Sequence, residues 1–471
     1  MQVETAASAE RDNAQSRRGN RAPRSIEWAN SFAEQAPSIM GPLPGPNSLR
    51  LFERCARHDL SPFPWVEPVP VGYASGIGVT IDDVDGNRFL DLTHGHTSTG
   101  FGHGNPEVAE AIAAQAHSLM NIRNYPHELR MQLMERLSRI TPEDLNLFGL
   151  YSSGTEATEA AMRVARSVTG GFEFLSFYGD YHGKTAGSIA TSDTADMSSG
   201  PRAAGHTIVP AGWCRRCEFK LEPSTCGLHC VDFAERAMLA HSQGKLAGII
   251  IEPISNGSGA RVYAPGFLKG LRDMADRHGI PLIFDEHATG LGRTGSWFAG
   301  DQEGVVPDIL IFAKTLGNGY PIVAVAAREG YRQAAARTSH SSTHGGMPAG
   351  CAAALAVLDI IERDDIIGHV RVTGADLLAE MQRMADRHPI VGAASGRGFL
   401  LGFEIVDPVT GEPSARIAQQ VGNAFLRNGL STAPAYTVVR ISPMLVTSRE
   451  TALRALAICD KALSEVEEAL S

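Results

Sequence analysis

The stretch PDILIFAKTLGNGYP, residues 307–321, sets one lysine, Lys314, at the end of the apolar run Ile309-Leu310-Ile311-Phe312-Ala313 and just before a glycine-bearing turn. A run this short, rich in β-branched and aromatic residues and closed by turn signals, reads as a buried strand of a parallel sheet. Burial penalises an ammonium and lowers its pKa, and a neutral amine is the species that attacks a carbonyl to form a Schiff base. The chain has six lysines, at 184, 220, 245, 269, 314 and 461, and the other five stand in polar or turn-like surroundings. The competing reading is a lysine that snorkels from a strand end into solvent.

Outward from Lys314, strand-like runs alternate with helix-like segments between about 145 and 345: Phe172–Phe177, Gly248–Ile251, Pro281–Phe284 and Ile309–Ala313. Connecting segments such as Pro265–His278 are long enough for crossover helices, so an α/β fold with a mostly parallel sheet and helices on its faces is expected. Beyond about 350, long amphipathic helices and the strand signal GFLLGFEI (398–405) predict a smaller α+β lobe. VTIDDVDGNRFLDL (79–92) reads as a hairpin turning at Asp85-Gly86-Asn87, expected beside that lobe. The division read from these signals is a flexible arm over 1–45, a segment 46–95 that packs with the small domain, a large domain 96–345 and a small domain 346–471.

With 471 residues, 43% of them hydrophobic, the chain can bury a large two-lobed core. A net charge of -10 argues against nucleic acid or an anionic membrane as partner, because both require a basic face. There is no apolar run of 18 residues and no signal-peptide core near the N-terminus, and seven cysteines suit a reducing compartment, so the cytoplasm is expected.

Two further segments carry chemistry. YSSGTEATE (151–159) leads into a helix striped with alanine and valine, and small hydroxyl residues at a helix start make an anion site or an ordinary cap. IPLIFDE (280–286) ends a second apolar strand in carboxylates; ligands of parallel sheets sit at the carboxyl ends of strands, so Asp285 and Lys314 are expected in one crevice. A carboxylate opposite a pyridine nitrogen keeps it protonated and makes the ring an electron sink, although Asp285 could also serve as a metal ligand or cap.

Together FDEHATGLGRTGSWFA, PDILIFAKTLGNGYPI, YSSGTEATEAAMRVAR and STHGGMPAGCAAALAVL resemble the class III pyridoxal-phosphate aminotransferases of fold type I, over about residues 65–470. The resemblance implies a seven-stranded large-domain sheet, a Schiff base at Lys314 and Asp285 on the pyridine nitrogen. It implies further cofactor contacts at Ser153, Gly154, Thr155, Tyr181, His182 and Glu252, while His287, a departure from the family, could touch the cofactor's face or its hydroxyl. Thr343 matches a residue that reaches the neighbouring subunit's cofactor, which implies a homodimer with shared sites, possible also as a dimer of dimers. Within the family the chain looks most like the dialkylglycine decarboxylase branch. Arg440 matches the arginine that grips a substrate carboxylate, and Gly257 stands where many relatives place a glutamate that masks it. His96 and Ala288 replace glutamines of that branch, and His287 replaces a small apolar residue. His96 could bind a carboxylate, shuttle protons or fill space.

Cys214, Cys217, Cys226 and Cys230 form a CxxC and CxxxC pair inside an insert, 213–230, with spacing that fits structural zinc or an iron–sulfur cluster as well as a reduced loop of unused thiols. The functional expectation is amino-group transfer between a carboxylate-bearing amino acid and a keto acid or aldehyde. A decarboxylase, aminomutase or epimerase on the same scaffold and a silent cofactor-binding protein are the alternatives.

Overall fold

The computed structural model describes residues 22–60, 69–193, 200–432 and 434–471. Its centre is a seven-stranded sheet of β1 (Leu145–Tyr151), β2 (Glu173–Phe177), β3 (His206–Val209), β4 (Leu246–Ile251), β5 (Leu282–Glu286), β6 (Ile309–Phe312) and β7 (Val323–Arg328), in the order β1-β7-β6-β5-β4-β2-β3. β7 pairs antiparallel with both β1 and β6, while β6, β5, β4, β2 and β3 are mutually parallel.

The central strands read as unbroken apolar runs because both faces are covered. Ile283, Ile309 and Ile311 pack on Ala157, Ala160, Ala161 and Val164 of the helix Gly154–Thr169, whereas Leu282, Phe284, Leu310 and Phe312 share the other core with Phe267, Leu271 and Met274 of the helix Phe267–His278. That second helix does not open on Pro265: Gly266 takes φ 84°, turns the chain, and helical geometry begins at Phe267.

Two smaller sheets flank the first. The hairpin Thr80–Asp83 and Arg88–Asp91 forms as read, with Tyr73–Ile77 as a strand the sequence reading did not find, and Leu430–Ser431 joins it in parallel so that the hairpin packs on the C-terminal part of the chain. The other sheet comprises Val391–Arg397, Leu400–Ile405, Val438–Ile441 and Pro434–Ala435. Of the arm expected over 1–45, the structure describes residues from 22 onward, and these are anchored. The helix Arg24–Asn30 buries Ile26 and Ala29, Asn30 Nδ2 donates to the Val446 carbonyl at 2.7 Å, and the Ser25 amide donates to Asp364 at 3.1 Å.

Ile311 is fully buried and lies directly across from Asp285 in the β5–β6 register. Ile311→Ala is expected to lower stability by about 2–5 kcal/mol, the usual loss for a buried aliphatic truncated to alanine. Val372→Ala, at a position 65% exposed, should stay within about 0.5 kcal/mol. Denaturant midpoints of the two variants test the difference.

Candidate active site

The carboxyl ends of β1, β4, β5 and β6 and the loop after β2 surround a cavity of about 510 Å³. Its wall brings together Ser153, Gly154, Thr155, Tyr181, His182, Glu252, Asp285, His287 and Lys314. Lys314 opens a single 3₁₀ turn after β6 with φ 43°, a region uncomfortable for a side-chain-bearing residue. The turn is tied down where Thr315 Oγ1 donates to the Thr97 carbonyl at 3.3 Å. Burial, then the charges of Arg440 and Arg293, lower the Lys314 pKa to about 8 against the opposing pull of Glu252 and Asp285.

Asp285, 2% exposed, is held by two imidazoles: His182 Nδ1 donates to Oδ2 at 2.7 Å, and His287 Nδ1 donates to Oδ1. Burial alone would raise the carboxyl, but His287 and His182 outweigh it and hold the group well below the usual carboxylate range. The proton affinity of His182 is raised despite burial, because Asp285, Asp180 and Glu252 surround it.

At the other end of the cavity the helix Gly154–Thr169 begins, with Ser153 Oγ accepting from the Glu156 amide at 3.3 Å. Thr155 Oγ1 meets the hydroxyls of Thr185 and Ser188 at 3.0 and 2.7 Å, tying the helix start to the segment after Tyr181. Free N–H groups and the helix dipole favour an anion at this end. Glu252 acts through the backbone: its oxygens accept from the amides of Tyr181 (2.8 Å), Asn256 (2.6 Å) and Gly257 (3.3 Å). A flat pyridine aldehyde with a phosphate arm fits this donor set: an amine for the aldehyde, a buried carboxylate for the ring nitrogen, a helix start for the phosphate.

A smaller recess adjoins the cavity, lined by Thr93, His96, Thr97, Asn256, Arg440 and Ser442; Asn256 lines both. Arg440 sits opposite Gly402 in its sheet and donates through Nη2 to the Asn256 carbonyl at 2.9 Å. Arg440 Nε, Ser442 Oγ and Asn256 Oδ1 are buried without a partner. No side chain at position 257 masks the arginine, since a β-carbon on Gly257 would lie 2.5 Å from the Gly179 carbonyl oxygen. His96 stands in a left-handed turn, with φ of 32°, 66°, 53° and 69° at His94, Gly95, His96 and Thr97. For the three residues with side chains this costs about 1–2 kcal/mol each, and it is held in part by the His94 ring, which donates to the Ser442 carbonyl at 3.1 Å. Exclusion of water and then Arg440, Lys314 and Lys184 lower the proton affinity of His96, leaving a neutral imidazole.

Thr343 is not brought to this cavity; it is exposed, its carbonyl accepting from Asn121 Nδ2 at 2.9 Å. Asn256, Ser98 and Ser442 were not singled out from the sequence, although Asn256 lies inside the EPISNGSG run next to Gly257. The metal expectation is corrected. Among the described residues no group of three or more His, Cys, Asp or Glu side chains could hold an ion, and Cys214, Cys217, Cys226 and Cys230 are all free. Burial and the nearby Cys226 and Cys217 raise the Cys214 thiol, and burial pushes Cys230 up to about 11. The insert instead docks on the strand Leu400–Ile405, with Arg215 and Arg216 both paired to Glu404, at 3.0 and 2.7 Å.

The Aminotransferase class-III family matches residues 64–463. An acetylornithine aminotransferase of Methanosarcina mazei is 33% identical over 81% of this chain and 89% of its own, and a 4-aminobutyrate aminotransferase of Mycobacterium leprae is 32% identical over 92% and 99%. Among solved structures, an amine transaminase from an uncultivated Pseudomonas species, in its PLP-bound form, superposes with a TM-score of 0.81 at 29% identity, covering 87% of this chain and 98% of that one.

A lysine with its pKa near 8 captures an aldehyde readily at neutral pH. Protein stripped of cofactor should bind pyridoxal phosphate with a rate that rises with pH and levels off above about 8; a rise continuing toward 10.5 would show that Lys314 is not desolvated.

Proposed function

The chain belongs to the class III aminotransferases and is a pyridoxal-phosphate-dependent transaminase, and on that premise we propose which residues carry the reaction and what it accepts. Bound pyridoxal phosphate supplies an aldehyde that condenses with amines and a ring that withdraws electrons from neighbouring bonds. Lys314 Nζ would hold the cofactor's aldehyde and, once released, would serve as the base positioned to take a proton from the substrate carbon. Asp285 would hold the ring nitrogen protonated, Tyr181 would contact the ring, and Gly154 and Thr155 would hold the phosphate. The substrate carboxylate lies in the recess on Arg440 and Ser442, with His96 at its edge. The observation that carries this reading is the pair of stranded buried groups, Arg440 Nε and Ser442 Oγ, in a recess joined through Asn256 to the cavity of Lys314. An amino acid as donor and a keto acid or aldehyde as acceptor follow from it.

We also propose a homodimer with shared sites and a cytoplasmic location, and we keep the division into a large domain, 96–345, and a small one, 346–471. Support for the dimer comes from Thr343, which is exposed beside Asn121, Arg123 and Asn124 on a face that also exposes Met120 and Tyr125 at 59% and 73%. Free cysteines at all seven positions support a reducing compartment.

Lys314→Ala should lower turnover by roughly 10²–10⁴-fold or more, the share typical of a positioned proton carrier. Arg440→Ala should raise KM for carboxylate-bearing donors roughly 10–100-fold, as expected for a lost charge-assisted contact, and leave a plain amine donor nearly unchanged. Equal loss on both donors would remove the carboxylate seat, and release of carbon dioxide from a dialkyl amino acid would favour decarboxylation. Light scattering should give twice 50.2 kDa.

A further inference from the structure

We propose that His287 is a ligand of the cofactor's phosphate, bridging it to the carboxylate that serves the ring nitrogen. The proposal rests on pyridoxal phosphate occupying the cavity with Lys314 and Asp285 as read above. Residues two apart on an extended strand point the same way. At the end of β5 that rule sends Asp285 and His287 into the cavity and Glu286 the other way, where it accepts from the amides of Ala299 (2.7 Å) and Gly300 (3.0 Å).

The His287 ring is oriented by its bond from Nδ1 to Asp285 Oδ1, which leaves Nε2 as its free end. That Nε2 is buried with no partner, on a side chain only 14% exposed. It rests against Gly154, the first residue of the helix Gly154–Thr169: a β-carbon on Gly154 would lie 2.8 Å from Nε2 and 3.0 Å from Cδ2. The free nitrogen therefore lies against the start of the helix Gly154–Thr169, where N–H groups and dipole favour an anion.

The neighbouring acid does not compete for it. The Glu156 carboxylate in the first helical turn is turned back onto the amide and hydroxyl of Ser152, both at 3.1 Å. A phosphate at the helix start gives the stranded nitrogen its acceptor. His287 then stands between two anions, bonded to Asp285 through Nδ1 at one end and to phosphate through Nε2 at the other. The remaining charged neighbours in the cavity are His182, on the opposite oxygen of Asp285, and Glu252, Lys184 and Lys314. An apolar residue of similar bulk would fill the same volume and leave the phosphate to backbone amides and hydroxyls alone.

The test uses the full-length chain and the variants His287→Val and His287→Gln. Affinity is measured for pyridoxal phosphate and for pyridoxal, which lacks the phosphate, together with the ³¹P resonance of the bound cofactor. His287→Val should weaken pyridoxal phosphate about tenfold or more, with pyridoxal unchanged within about twofold and the ³¹P resonance displaced. His287→Gln, which keeps one neutral donor, should lose less, and it carries the test if the valine variant does not fold. Equal weakening of both ligands, or of neither, overturns the proposal and leaves His287 as packing. If the parent protein shows no visible absorbance band that Lys314→Ala removes, the cavity reading itself falls.

Discussion

Asp285 keeps a negative charge at 2% exposure, and the architecture around the cavity is arranged to pair it. An isolated carboxylate in such a place would neutralise itself. Here both oxygens are bonded by imidazoles that come from different parts of the chain, His182 from the loop after β2 and His287 from just beyond β5. Two other buried acids complete the network and behave oppositely. Asp180 is pushed well up by burial and by Glu252, and Glu252 is raised by burial and by Asp285. Asp285 thus holds its charge most firmly, while burial raises the proton affinity of its two acidic neighbours, which act through hydrogen bonds to backbone and to Tyr263.

Topology then delivers the rest. Because β4, β5 and β6 run parallel, their carboxyl ends place Glu252, Asp285 and Lys314 along one rim. Conformational strain collects at the same rim, in Lys314 and in the left-handed turn His94–Thr97, and the two are joined by the bond from Thr315 to Thr97. Such backbone persists only where surrounding contacts over-determine it, and here it is wedged between the central sheet and the strand that carries Arg440.

The buried strands were legible because a two-sided core demands unbroken apolar runs, and Lys314, Asp285 and the helix start at Ser153 were legible because each breaks such a run with a polar group at its carboxyl end. Short or partly exposed strands escaped: Tyr73–Ile77 reads YASGI and Leu430–Ser431 is two residues long, too little for periodicity. The left-handed turn escaped because only Gly95 signals it. Asn256 escaped because its importance lies in a distant neighbour, Arg440, that no local pattern connects to it. The cysteine spacing left a metal site and a reduced loop both open, since spacing along the chain does not fix which of the two the thiols form.

The eight residues from Glu252 to Gly259 make a single strap tied to Tyr181, Asp180, Gly179 and Arg440. Glu252 grips the amide of Tyr181, Asn256 hangs from Glu252, and the carbonyl of Asn256 receives Arg440. Widening the recess to admit a longer or branched molecule therefore displaces the same strap that sets the height of Tyr181 over the cavity. The recess that holds Arg440 and the cavity that holds Tyr181 thus share one segment of backbone.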